Sequence, residues 1–272
     1  MTRGRTSKLP AATACYVYGV FSASVSLDLR KFVPMGVFPL ECVRSGRLQA
    51  LVGAVSKDEF NDTAIQGRDL RWIAEKAQHH DEVARSVAAR AAFVPFRFCT
   101  VCKDEASVLK LLASNEEVFL AALAKLEGRS EWGIRITRTA NKRDPVKPQT
   151  READAQSGKA YLLRRQRELS EREQTENRVR SYAEACHKQL EQLACEARRL
   201  AENRYRPSSG AQDIFSASYL IPNGEAQRFK QCVSHLTEQY SPLGITLHAT
   251  GPWPAYSFTD LELSSSRMSA DE

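Results

Sequence analysis

An α+β protein of two small two-layer units is the fold class this sequence predicts. Three observations carry it. β-rich stretches open both halves of the chain, and helical periodicity follows each. After residue 128 the order runs strand–helix–strand–helix–strand. Each unit is expected to pack helices on one face of a small sheet, in the ferredoxin-like manner, and the second carries a long projecting helix. The expected division is a disordered basic tail at 1–13, an N-terminal unit at 14–128, a C-terminal unit at 129–258 and a disordered tail at 259–272.

Cys15 to Phe21 is β-rich and reads as the first strand. Val37 to Val43 and Leu48 to Val55 read as two more, joined as a hairpin at Ser45-Gly46. Residues 63–91 turn helical: Trp72, Ile73, Ala77, Val83, Val87 and Ala91 recur near three and four, with a possible break at His79-His80-Asp81. Phe93 to Phe98 is a short aromatic strand, and Pro95 predicts an edge or a bulge. Asp104 is placed to cap a helix whose apolar stripe runs from Val108 to Leu126, and Gly128 ends it. Glu131 to Thr137 alternates as a strand. Residues 139–156 read as a basic loop.

A proline-free helix is expected over about 158–203. Its second half has a seam at Val179, Tyr182, Cys186, Leu190, Leu193, Ala197 and Leu200, spaced by threes and fours. Its first half is charged in both signs and predicts a solvated helix or a docking arm. Ile214 to Ile221, Glu225 to Tyr240 and Ile245 to Thr250 complete the pattern as strand, helix and strand.

At 42% hydrophobic and 26% charged, the composition is that of a soluble globular protein, and no apolar run approaches the roughly 18 residues of a membrane span. The net charge is +6, and residues 1–10 and 138–151 together carry more than all of it. Charge concentrated in expected tails and loops disfavours a folded nucleic-acid-binding face. Phe93, Phe96 and Phe98 with Arg97 superficially suit base stacking, but the segment lacks the glycine-containing RNP1 pattern. Seven cysteines, an odd number, point to reduced cytosolic thiols. Cys99 and Cys102 are the one close pair, and the five histidines offer no zinc-ligand spacing beside them. The chain shows no nucleophile elbow, phosphate loop, dinucleotide fingerprint or H-E-x-x-H. Neither an enzyme nor a cofactor is expected.

Four segments stand out together: Cys15 to Val20; Val94 to Val101; Glu131 to Ile136 with Gly158 to Arg165; and Gly251-Pro252-Trp253-Pro254-Ala255-Tyr256-Ser257-Phe258. Two prolines around a tryptophan, then two aromatics, is an improbable string. In this order and spacing the segments resemble the gas vesicle protein GvpL/GvpF family over roughly residues 14–258. One departure is Cys99, where the family usually has glycine.

The resemblance implies a cytoplasmic accessory or minor structural protein of gas vesicles. Its partners would be the major shell protein and other accessory proteins, with no nucleic acid and no membrane. The candidate shell-protein contacts are Phe96, Arg97, Phe98, Arg164 and Arg165, with the aromatic edge strand open to a guest strand. Pro252, Trp253, Pro254, Tyr256 and Phe258 are expected to form a structural clasp closing the C-terminal unit. The rival readings are a nucleic-acid-binding regulator using the basic tails and a small redox enzyme using Cys99 and Cys102.

Overall fold

The computed structural model describes residues 13–29, 40–56, 69–139, 158–200 and 211–259. The chain divides into two units. The first holds Met1–Glu131 together with Pro252–Glu272, and the second holds Trp132–Gly251. Residues 252–258, expected in the C-terminal unit, thus belong to the first. The expected tails lie almost wholly outside the described residues.

In the first unit, β1 (Thr13–Ser22), β2 (Leu40–Ser45), β3 (Leu48–Ser56), β4 (Phe93–Pro95) and β5 (Val101–Cys102) form one sheet. Its order is β2-β3-β1-β4, with β5 also on β1. Every pairing is antiparallel. The predicted hairpin is present: Ser45 pairs with Leu48 across Gly46, whose φ of 56° suits a glycine in a tight turn. β4 is shorter than expected, because the chain leaves the strand at Phe96 and returns to β1 as β5.

Three helices cover this sheet. α1 (Leu70–Ala88) is continuous through His79-His80-Asp81, where the sequence allowed a break. Both histidines find buried hydroxyl partners, so they stay inside the helix. Val83, Ala84 and Val87 of α1 pack with Tyr16, Tyr18, Phe21, Leu51 and Val55 of the sheet. The helix expected after Asp104 is two, α2 (Glu105–Ser114) and α3 (Glu116–Leu126). They part at the buried Asn115, whose side chain donates back to the Leu111 carbonyl at 2.9 Å. Asp104 caps α2, accepting from Ser107 N at 2.8 Å.

All residues from Ala14 to Phe21 are buried. A two-layer unit would leave alternate positions of its central strand to solvent. Here α2 and α3 also contact the strands, and their Val108, Leu112, Phe119 and Leu123 are buried apart from the α1 cluster. The sheet is therefore covered on both faces.

The second unit consists of β6 (Arg129–Thr139), which begins on the last residues of the first, then α4 (Gly158–Glu191), β7 (Glu196–Arg199), β8 (Ala211–Pro222), α5 (Ala226–Tyr240) and β9 (Ile245–Trp253). The sheet order is β7-β8-β6-β9. Trp132, Ile134 and Ile136 alternate into a core with Val179, Ala183, Cys186 and Leu190 of α4 and Phe229, Val233, Leu236 and Tyr240 of α5.

α4 ends at Glu191, a dozen residues short of the expected end. Leu193 N and Ala194 N donate to the Leu190 and Glu191 carbonyls, and Cys195 N donates to the Leu220 carbonyl. The chain then runs as β7 antiparallel to β8. Ala197 still packs on the core, but from a strand.

Candidate functional site

The loop at 96–100 is fixed by a chain of hydrogen bonds from three elements. His80 Nε2 lies 3.0 Å from the Phe96 carbonyl oxygen, and Nδ1 lies 2.8 Å from the Tyr16 hydroxyl. A carbonyl only accepts, so Nε2 carries the proton and Nδ1 accepts from Tyr16. The Tyr16 oxygen in turn accepts from Cys99 N at 3.2 Å. The His80 ring stacks on Tyr18, with centroids 5.5 Å apart and planes at 17°. Burial lowers the His80 pKa and raises that of Tyr16, so both are held neutral. The second unit has a simpler version: His187 Nδ1 lies 2.7 Å from the Tyr219 hydroxyl, and burial lowers the His187 pKa too.

Thr100 N and its hydroxyl both donate to the Arg97 carbonyl, closing a turn. Cys99 sits in that turn at φ 65°, the one non-glycine among the described residues with positive φ. The departure at position 99 thus falls where the backbone prefers glycine.

This geometry revises the expected contact strand. Phe96 is buried beside Phe119, with centroids 6.0 Å apart, and Phe98 is half-buried with its ring edge-on to His80. Only Arg97 is exposed. Phe96 N already donates to the Tyr18 carbonyl and Phe96 O already faces His80, so a guest strand cannot pair at Phe96.

Arg164 and Arg165 are exposed on α4, 3.2 and 3.7 Å from the Glu168 carboxylate. Just before them Tyr161, Leu162 and Leu163 stand 65%, 67% and 49% exposed, and Leu169 follows at 51%. Gly158 to Arg165 carries part of the family resemblance, but its apolar residues are not among the expected contacts. Three adjacent apolar side chains at the head of a polar helix were the available signal.

The C-terminal string packs within the first unit. The Arg85 guanidinium lies 3.6 Å from the Trp253 ring centroid and pairs with Asp81 at 2.6 Å. Pro252 is exposed, whereas Pro254, Ala255 and Phe258 are buried. The Tyr256 hydroxyl is buried, and burial together with the Asp81 carboxylate keeps it protonated. Glu131 Oε2 and Oε1 accept from Ser257 N at 2.9 Å and Ser257 Oγ at 2.6 Å.

Cys102 lies on β5 opposite Cys15 of β1, and Cys99 on the loop. Burial pushes all three thiols up to about 11, the opposite of a reactive thiolate. Among the described residues no three His, Cys, Asp or Glu side chains group as metal ligands, and no helix is long and apolar enough to cross a membrane. Most of the basic segments behind the nucleic-acid reading fall outside the described residues.

What fold and site define together is a two-unit α+β protein whose polar interior serves structure, with a helix displaying apolar residues. The gas vesicle synthesis protein GvpL/GvpF family model matches residues 14–260, and the chain belongs to that family. It is 30% identical to gas vesicle protein L of a Streptomyces species over 233 residues, 84% of this chain and 85% of that one. It is 26% identical to gas vesicle protein F of the same species, over 90% of this chain and 99% of that one. The crystal structure of GvpF from an Anabaena species matches 92% of this chain and 97% of its own at 16% identity, with a TM-score of 0.65. GvpF from Microcystis aeruginosa matches at 18% identity over 91% and 99% of the two chains, with a TM-score of 0.61.

Proposed function

We propose that this chain supports gas vesicle assembly in the cytoplasm by binding the hydrophobic shell subunit, alongside other accessory proteins. Family membership supplies the process. The observation that carries the binding role is the exposed run Tyr161-Leu162-Leu163 at the head of α4, continued by Leu169. A monomeric surface rarely leaves adjacent large apolar side chains in water without a partner to cover them. Arg164 and Arg165 flank this run and favour a partner with acidic groups beside its apolar face.

In this reading Pro252, Trp253, Pro254, Tyr256 and Phe258 are a clasp on the first unit, not a contact surface. Each unit is read as a variant of the ferredoxin-like plan. The matching orders β2-β3-β1-β4 and β7-β8-β6-β9 support that.

Pull-down with purified shell subunit tests the binding role, and deletion tests the process. Retained binding partner and lost vesicles on deletion are expected. No binding together with normal vesicles overturns the reading.

A further inference from the structure

The edges of the two sheets are not alike. β7 is four residues long with Glu196, Arg198 and Arg199. β2 carries Glu41 and Arg44. β4 is three residues ending in Pro95, and β5 is two. Charge, proline and shortness are the means by which edges resist pairing with another chain. β9 has neither charge nor proline across Leu247-His248-Ala249-Thr250-Gly251, with Pro252 only at its end, and His248 to Gly251 are exposed.

The direction of the open backbone follows from two contacts. Thr139 N donates to the Gly244 carbonyl, and a Cβ on Gly133 would sit 2.9 Å from Thr250 Oγ1. Residue numbers rise along β9 as they fall along β6, so the two run antiparallel, with no register shift between these points. Hydrogen-bonding direction alternates along an antiparallel strand. The Gly244 carbonyl and the backbone of His248 and Thr250 therefore turn toward β6, and the backbone of Leu247 and Ala249 and the Gly251 amide turn away. Consistent with this, the Leu247 carbonyl accepts from Thr237 Oγ1 of α5, at 3.5 Å. Among the described residues no strand lies beyond β9.

We propose that the open edge of β9 at Leu247–Gly251 takes an extended, uncharged segment of the shell subunit as an added strand. The inference rests on the function proposed above. The neutral edge offers no counter-charge, so a charged guest gains nothing. Ala249 and Gly251 are small and leave cross-strand room for bulky aliphatic side chains. A second copy of this chain is the poorer occupant, because a five-residue strip falls well short of the roughly 1,000 Å² of a stable interface. An extended guest is instead held by main-chain bonds.

The test compares wild type, Ala249→Lys and Ala249→Pro for binding to purified shell subunit. Ala249 N points away from β6, so neither variant breaks the existing ladder, and both should keep the wild-type melting temperature. At least tenfold weaker binding by both is expected. In hydrogen exchange, the Ala249 and Gly251 amides should gain protection only when shell subunit is added. Unchanged binding by both variants overturns the inference and leaves the function intact. If either variant melts lower, the exchange readout on wild type decides. Protection that rises with protein concentration alone assigns the edge to a second copy and overturns the guest. If wild type does not bind shell subunit at all, the functional reading itself fails.

Discussion

The Glu131 carboxylate holds Ser257 by two hydrogen bonds, from backbone N at 2.9 Å and from the hydroxyl at 2.6 Å, across 126 positions of sequence. Glu131 is buried, so these donors take the place of water at its carboxylate. Glu131→Ala should destabilise the first unit by about 2–3 kcal/mol, and Ser257→Ala by about 1–2 kcal/mol, as expected for charge-assisted bonds. Urea denaturation of both singles and the double gives the coupling. Additive losses would show that the two residues act separately.

His80 makes stability depend on pH. Burial lowers its pKa, while the Phe96 carbonyl and Asp81 oppose that shift more weakly. The folded protein thus holds neutral an imidazole that the unfolded chain protonates near pH 6.5. Stability is full above that value and falls as pH drops through it toward the lowered folded pKa. Protonated Nδ1 could no longer accept from Tyr16. His79 and His187 shift in the same direction. The urea midpoint of wild type should therefore fall between pH 8 and pH 5.5, and His80→Gln should fall less over the same range. An equal fall would place the dependence elsewhere.

Cys99 tests the turn it occupies. Both Cys99→Gly and Cys99→Ala remove the thiol, but only glycine relieves φ 65°. The glycine variant should be the more stable of the two by about 1 kcal/mol, the cost of a Cβ in the left-handed region. Thermal melts of the pair measure it, and equal melting temperatures would show that the turn relaxes.

The bulge in β1 leaves no such latitude. Between Val17 and Gly19 the register against β3 shifts, and a Cβ on Gly19 would run into the Val94 carbonyl oxygen and the Phe93 ring. Gly19→Ala should cost about 3 kcal/mol or more, at the upper end for overpacking. A chemical melt within 1 kcal/mol of wild type, on the same scale, would mean that β4 can move aside.

Local signals reached many of the elements. The Ser45-Gly46 hairpin, the Asp104 cap and the alternation at Trp132, Ile134 and Ile136 each depend on a few neighbouring residues. What stayed hidden depends on distance or on ambiguity. Leu193, Ala197 and Leu200 keep helical spacing, with no glycine or proline to stop the helix, although β8 draws the chain into a strand. The two faces of β1 cannot be told from one, because a continuous apolar run fits either. The bonds of Tyr16 to His80 and of Glu131 to Ser257 join positions 64 and 126 apart, and no local pattern encodes them. The apolar head of α4 was in plain view, but its exposure could only be read once the helix was seen to leave those residues uncovered.

That head yields a prediction for binding. Leu162 is 67% exposed, so replacing it has little to disturb inside the unit. Leu162→Asp puts a charge into the apolar run, and a shell subunit covering it would have to bury that charge without a fixed partner. The loss on binding should be about 2 kcal/mol or more, some thirtyfold in affinity, with the melting temperature unchanged. Arg164 provides a control. It is exposed and shares Glu168 with Arg165, so Arg164→Ala should weaken binding only a few-fold, and less as salt rises. Isothermal titration with purified shell subunit at two salt concentrations separates the two effects. If Leu162→Asp binds like wild type while Arg164→Ala does not, the contact is ionic, and the apolar run covers nothing.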